Sequence, residues 1–316
     1  MMRDFLFVAC VIFTSLISSA SADPNSQNGF NLNGALVPVD EILSGGPPRD
    51  GIPAIDKPVF LKADNAKEVR DNARVLGITR NGVSKAYPIS MMNYHEIVND
   101  RFNDEAIAVT YCPLCGSGVA FKTDVAGYQL QFGVSGLLYN SDVLLYDRRT
   151  NSLWSQLLSK AITGSLKGKE LTRIPIEHTT WADWRTQNPE TLVLSQDTGY
   201  RRDYQDNPYA GYDEHEGVYF PVSFRSKGYH PKEQVLGINI NHQAKAYPFV
   251  ELGKASKNNM IEIKDEVAGQ IITVRFDKMH KSAKAFDAEG KQIAGTTLYW
   301  FAWFTFNPKT TVFKVK

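Results

Sequence analysis

The chain has 316 residues, with 35 Lys and Arg against 34 Asp and Glu and a formal net charge of +1. That balance argues against the basic surface of a nucleic-acid binder or of a polybasic membrane-surface protein. A hydrophobic content of 43% is ample for one large domain or two small ones.

In chain order, Met1-Met2-Arg3 precedes an apolar run, and Ala20-Ser21-Ala22 makes a small-x-small cleavage pattern before Asp23-Pro24. Residues 1–22 therefore read as a secretory signal peptide, with an apolar run too short for a comfortable transmembrane helix. The expectation is an exported protein, periplasmic or extracellular, with no transmembrane segment after signal cleavage. Cys10 falls inside the signal, which leaves Cys112 and Cys115 as the thiols of the mature chain.

Residues 23–65 form an N-terminal extension rich in Pro, Gly, Asn and Ser. Then Val75-Leu76-Gly77-Ile78, the Asn81-Gly82 dipeptide and Lys85-Ala86-Tyr87-Pro88 predict a hairpin. From Ile89 to Val98 the apolar positions have helical spacing, Pro88 suits the first turn, and His95 lies within the segment. Ala108-Val109-Thr110-Tyr111 next drives into the turn Cys112-Pro113-Leu114-Cys115-Gly116, and Val119-Ala120-Phe121 leaves it.

The C-terminal part repeats this order. Val235-Leu236-Gly237-Ile238 and Lys245-Ala246-Tyr247-Pro248 stand for the first hairpin, Asp265 for Asp100 and Phe276 for Tyr111. Asp277 and His280 occupy the places of Cys112 and Cys115, and Trp300 and Trp303 those of Trp181 and Trp184. Such recurrence points to an internal duplication. The fold expected is mainly β (α+β): copy one over 66–195, enlarged by an insert at 132–179, and a degenerate copy two over 234–316. Between them 196–233 reads as an ordered connector, because Tyr200, Tyr204, Tyr209, Tyr212, Tyr219 and Tyr229 argue against a disordered tether. One half should carry the chemistry and the other support it, with the tryptophan pairs as core packing.

A Cys-x-x-Cys-Gly turn is the half-knuckle of rubredoxin-like and zinc-ribbon sites, where both sulfurs point at one soft ion. A full four-cysteine site needs a second pair, which is lacking. His95 leads into the strand carrying Cys112, so two thiolates plus that imidazole form the expected ligand set, with Cu or Zn as the metal. The alternative is a redox dithiol acting on exported partners, with Cys112 attacking and Cys112 and Cys115 as the catalytic pair. That chemistry prefers a helix starting at the first cysteine, and Gly116-Ser117-Gly118 followed by strand-like residues weakens it. The short spacing also makes a purely stabilising disulfide a poor reason for the pair. A third reading is a non-catalytic module binding a small molecule or an exported protein. Asp142, Asp147 and Arg148 read as ion-pair and turn residues, and Asn140 as a turn former. Asp213-Glu214-His215-Glu216 reads as a solvated loop, and Met279-His280 as a surface turn.

The stretches Thr110-Tyr111-Cys112-Pro113-Leu114-Cys115-Gly116, Gly133-Val134-Ser135-Gly136-Leu137-Leu138-Tyr139-Asn140-Ser141-Asp142, Tyr146-Asp147-Arg148 and Leu153-Trp154-Ser155-Gln156 resemble the domain-of-unknown-function family DUF3179. The resemblance extends from about Val75 through Pro208-Tyr209-Ala210-Gly211-Tyr212 to the Trp-rich end. It implies an exported or membrane-associated bacterial or archaeal protein and assigns no catalytic residue.

Overall fold

The computed structural model describes residues 25–256 and 258–315. The segment read as a signal peptide lies outside them, and among the described residues no helix is long and apolar enough to cross a membrane. Strands dominate, and five sheets of four or five strands form a five-bladed, propeller-like arrangement.

Two of these blades share one strand order. In the first, Arg74–Arg80 and Val83–Pro88 form the hairpin expected around Asn81-Gly82, with Val75 opposite Pro88 and Arg80 opposite Val83. Glu177–Thr180 pairs antiparallel with the first strand, and Leu192–Leu194 runs parallel to the second. In the other blade Gln234–Ile240 and Gln243–Pro248 pair in the same register, flanked by Thr296–Tyr299 and Thr311–Val312 in the same senses. Two further blades are meanders. One runs through Ile97–Phe102, Glu105–Cys112, Ser117–Lys122 and Arg173–Ile174, the other through Met260–Val267, Gln270–Asp277, Ser282–Phe286 and Gln292–Ile293. The fifth blade contains Phe132–Tyr139, Asp142–Asp147, Leu153–Ser155 and Lys160–Ala161, edged by Ile42–Ser44 of the N-terminal extension.

The same side-chain devices recur in the matching blades. Lys85 and Tyr87 both bond Asp100, at 2.8–2.9 and 2.6 Å, and Lys245 and Tyr247 bond Asp265, at 2.7 and 2.9 Å. Trp184 lies on Gly77, where an added Cβ would come within 2.3 Å of the indole, and Trp303 lies likewise on Gly237 at 2.2 Å. A side chain at Gly77 would therefore expel the indole. Each indole N–H then donates to a threonine, Trp184 to Thr191 at 2.8 Å and Trp303 to Thr310 at 2.9 Å. Trp181, Trp184, Trp300 and Trp303 are all buried, as core packing requires.

The expected helix from Ile89 to Val98 is shorter than its pattern. It spans Ile89–His95, with Pro88 at its N-cap, and ends because Glu96 takes a left-handed conformation with φ 56°. Ile97 then begins a strand. The apolar run past the helix is the start of a buried strand, whose continuous apolar character mimics helical spacing over a short window.

Candidate functional site

Cys112 ends one strand of a hairpin and pairs with Ser117 at the start of the next, so Pro113 to Gly116 make the turn. Gly116 has φ +60°, and its N–H is taken by Pro113 O at 3.4 Å. The ring of Tyr299, from the C-terminal half, covers this glycine, with its Cζ 2.9 Å from where a Cβ would lie. The Tyr299 N–H also donates to Cys115 O at 2.8 Å. The turn is thus clamped by the other half of the chain, and any side chain at Gly116 would break the clamp.

Both sulfurs are buried and neither is in a disulfide. They face the backbone carbonyl of Ser141, at 3.6 Å from Cys112 and 3.3 Å from Cys115. Asn140 and Ser141 form a two-residue hairpin turn with φ 53° and 63°, the positive pair that a type I′ turn needs. That turn brings Asp142 to the cysteines. The two sulfurs and one carboxylate oxygen lie within 4.8 Å of one another. Asp142 Oδ2 accepts from Leu157 N at 3.0 Å and Ser155 Oγ at 3.3 Å, while Oδ1 is buried with no hydrogen-bond partner. Below the turn, Gln156 bridges the two strands, accepting from Ser117 Oγ at 2.7 Å and donating to Thr110 Oγ1 at 2.9 Å. The motif Leu153-Trp154-Ser155-Gln156 therefore orients both the carboxylate and the turn.

The electrostatics are those of too many acids for the cations present. Burial pushes the Cys115 thiol well up, with Cys112 and Asp142 adding to it. Burial pushes Asp142 up to about 7, and pushes Glu96, with Asp142 adding to it, up to about 8. Tyr209, Tyr212 and Tyr299 are all raised, chiefly by burial, then by Glu96 for Tyr209, Cys115 for Tyr212 and Asp213 for Tyr299, with the thiols adding to each. Arg173 faces this group and is itself pushed down to about 10 by burial, partly offset by Asp142. A carboxyl raised in the folded state is stabilising while protonated and becomes a cost as pH rises through its folded value. The protein should lose stability between about pH 5 and 8, and Glu96→Gln should recover on the order of 3 kcal/mol at pH 8. Thermal melts at pH 5 and 8 check this: the gain must appear at pH 8 and vanish at pH 5.

The connector covers the site. Ser141 Oγ donates to Phe220 O at 2.8 Å, and Asn140 Oδ1 accepts from Ser223 N at 2.6 Å and Thr305 Oγ1 at 3.1 Å. Tyr212 is buried, its ring 4.4 Å from that of Tyr219 and 6.4 Å from that of Tyr299.

Of the residues singled out from sequence, Cys112 and Cys115 come together and His95 does not join them. Its Nδ1 bonds Pro53 O at 2.8 Å and its Nε2 bonds Tyr204 Oη at 2.6 Å, so both ring nitrogens are occupied elsewhere. The left-handed Glu96 turns the chain between the helix and the strand leading to the cysteines, which is why closeness in sequence did not become contact. Asp147 is fully used on Thr150 and Trp154, and Arg148 pairs with Asp56. Asp213, Glu214, His215 and Glu216 are exposed. His280 bonds Thr180 Oγ1 at 2.7 Å and groups with Asp277 and Asp183, not with the cysteines. Asp142, read from sequence as an ion-pair or turn residue, instead joins the cysteines, and Glu96, Gln156 and Tyr299 were assigned no role by sequence reasoning. The usable signal for Asp142 was an aspartate heading the otherwise apolar strand Asp142–Asp147 directly after a two-residue turn.

Fold and site together define a class: a β-rich, propeller-like protein with a buried cluster of two free thiols and a carboxylate at one hairpin tip. The chain belongs to DUF3179, described as a protein of unknown function, whose family profile matches residues 49–297. No curated protein and no solved structure matches it.

Proposed function

We propose that Cys112, Cys115 and Asp142 are the ligands of a single metal ion, most fittingly Zn(II), in an exported protein. The observation that carries this is the convergence of two buried thiols outside any disulfide with a buried carboxylate, one of whose oxygens has no hydrogen-bond partner. A buried polar atom left unpaired is costly, and a cation would satisfy it while neutralising the surrounding acids. A tetrahedral ion about 2.3 Å from sulfur and about 2.1 Å from oxygen fits that span with small side-chain shifts. A carboxylate in place of the expected imidazole favours Zn(II) over Cu(I), since Cu(I) prefers soft ligands throughout. Three protein ligands leave a fourth position, the arrangement of sites that bind water or substrate.

The dithiol reading is disfavoured by burial of both sulfurs, by the raised Cys115 thiol, and by a strand where a thiolate-stabilising helix would start. We also infer that the halves descend from one duplicated unit. The shared registers, the Lys-Tyr-Asp triads and the Trp-on-Gly pairs support this, and the fifth blade then represents the insert. Its strands end at Lys160–Ala161, earlier than the 132–179 span suggested by sequence, because Arg173–Ile174 and Glu177–Thr180 belong to other blades.

Equilibrium dialysis of the reduced, anaerobic protein against buffered Zn(II) tests the metal reading. About one ion per chain is expected. Absence of tight uptake, together with rapid equilibration against a thiol–disulfide buffer, would replace it with the dithiol reading.

A further inference from the structure

Where the Asp277–Lys281 turn of the C-terminal half meets Arg74, the surface opens into a cavity of about 690 Å³. Its lining includes Arg74, Lys232, Lys278 and Lys281, none of which is within salt-bridge distance of a carboxylate among the described residues. Two of these cations are not ordinary surface charges. Lys232 is 4% exposed and donates to His215 O and Gly217 O. Arg74 is half-buried and donates to His280 O and Lys281 O, which leaves three of its five N–H donors for other partners. Asp213 and Glu233 also line the cavity, and Glu233 accepts from Val250 N at 2.8 Å. Lys232 also lies over the Tyr212 ring at 4.1 Å, but neither withdrawn cation has a carboxylate within salt-bridge distance among the described residues, and an anion drawn into the cavity would supply that charge. The wall between the charges is apolar, with Phe249, Phe276 and Tyr299.

We infer that this cavity binds a small organic anion, an aryl or alkyl body bearing a phosphate or carboxylate, with the body on Phe249, Phe276 and Tyr299 and the anion among Arg74, Lys232, Lys278 and Lys281. The site is separate from the cysteine turn and does not depend on a metal there. It adjoins that turn through Tyr299, which lines the cavity and covers Gly116.

Calorimetric titration with phenyl phosphate tests this, with inorganic phosphate and phenol as comparison probes. Saturable binding near one per chain is expected, weakening as salt rises. The double variant Lys278→Glu, Lys281→Glu should lose at least tenfold in affinity while melting close to the parent. Lys264→Glu, an exposed charge reversal elsewhere, should lose nothing. No saturation by phenyl phosphate, or unchanged affinity in the double variant, overturns the site. Equal affinity for inorganic phosphate overturns the apolar half of the ligand class.

Discussion

Replacing Cys112 by Ser should weaken Zn(II) binding by the reduced protein at least about a thousandfold, because one of two thiolates is lost from a three-ligand set. Asp142→Asn should cost about a hundredfold, since a neutral amide cannot offset the ion's charge. Ser155→Ala, which removes one of the two hydrogen bonds to Asp142 Oδ2, should cost about tenfold through orientation alone. His95→Ala is the discriminating variant. It should leave uptake unchanged yet destabilise the fold by about 2 kcal/mol through its hydrogen bonds to Pro53 and Tyr204. His280→Ala should likewise leave uptake unchanged, as its ring serves the junction with Thr180. Ligation displaces thiol protons, so affinity should rise with pH. Below 7 the rise is steeper, because Asp142, pushed up to about 7, must also lose its proton. Competition titrations with a zinc chelator across pH 6 to 8.5 read all of these. A loss of uptake in His95→Ala would return the imidazole to the ligand set.

Trp184→Ala should be the most destabilising single truncation in the first half. The indole is 1% exposed, lies on Gly77 and donates to Thr191, so removing it leaves a large cavity and a threonine hydroxyl without its indole donor. Such truncations cost about 3–5 kcal/mol, and the melting temperature should fall by roughly 8–10 °C. Trp303→Ala, on Gly237 in the second half, should cost nearly as much. An unchanged melting temperature with altered phenyl phosphate or zinc binding would instead make these tryptophans a ligand platform.

The parts of the structure legible in the sequence were local ones. Asn81-Gly82 between alternating apolar runs marked a hairpin, and the apolar entry and exit of the Cys-Pro-Leu-Cys-Gly turn placed both sulfurs at a hairpin tip. The repeated Lys-Ala-Tyr-Pro and Trp-x-x-Trp stretches, read as an internal repeat, fall in two blades with one strand order. The third member of the cluster was not legible, because proximity depends on dihedral angles that residue types leave open. Glu96 takes a left-handed conformation without being glycine, which closes the helix and leaves His95 on Tyr204. Asn140 and Ser141 do the same without a glycine, and so conceal the turn that delivers Asp142. Tyr299 covers the cysteine turn from far along the chain, a contact no local pattern encodes.

The most direct test of the proposed metal centre is the X-ray absorption spectrum of the protein after incubation with Zn(II), at the zinc edge. Two sulfur scatterers at about 2.3 Å and one or two oxygen scatterers at about 2.0–2.2 Å are expected, without imidazole scattering. A shell of nitrogen and oxygen alone, or one carrying an imidazole signal, would contradict the ligand set of Cys112, Cys115 and Asp142.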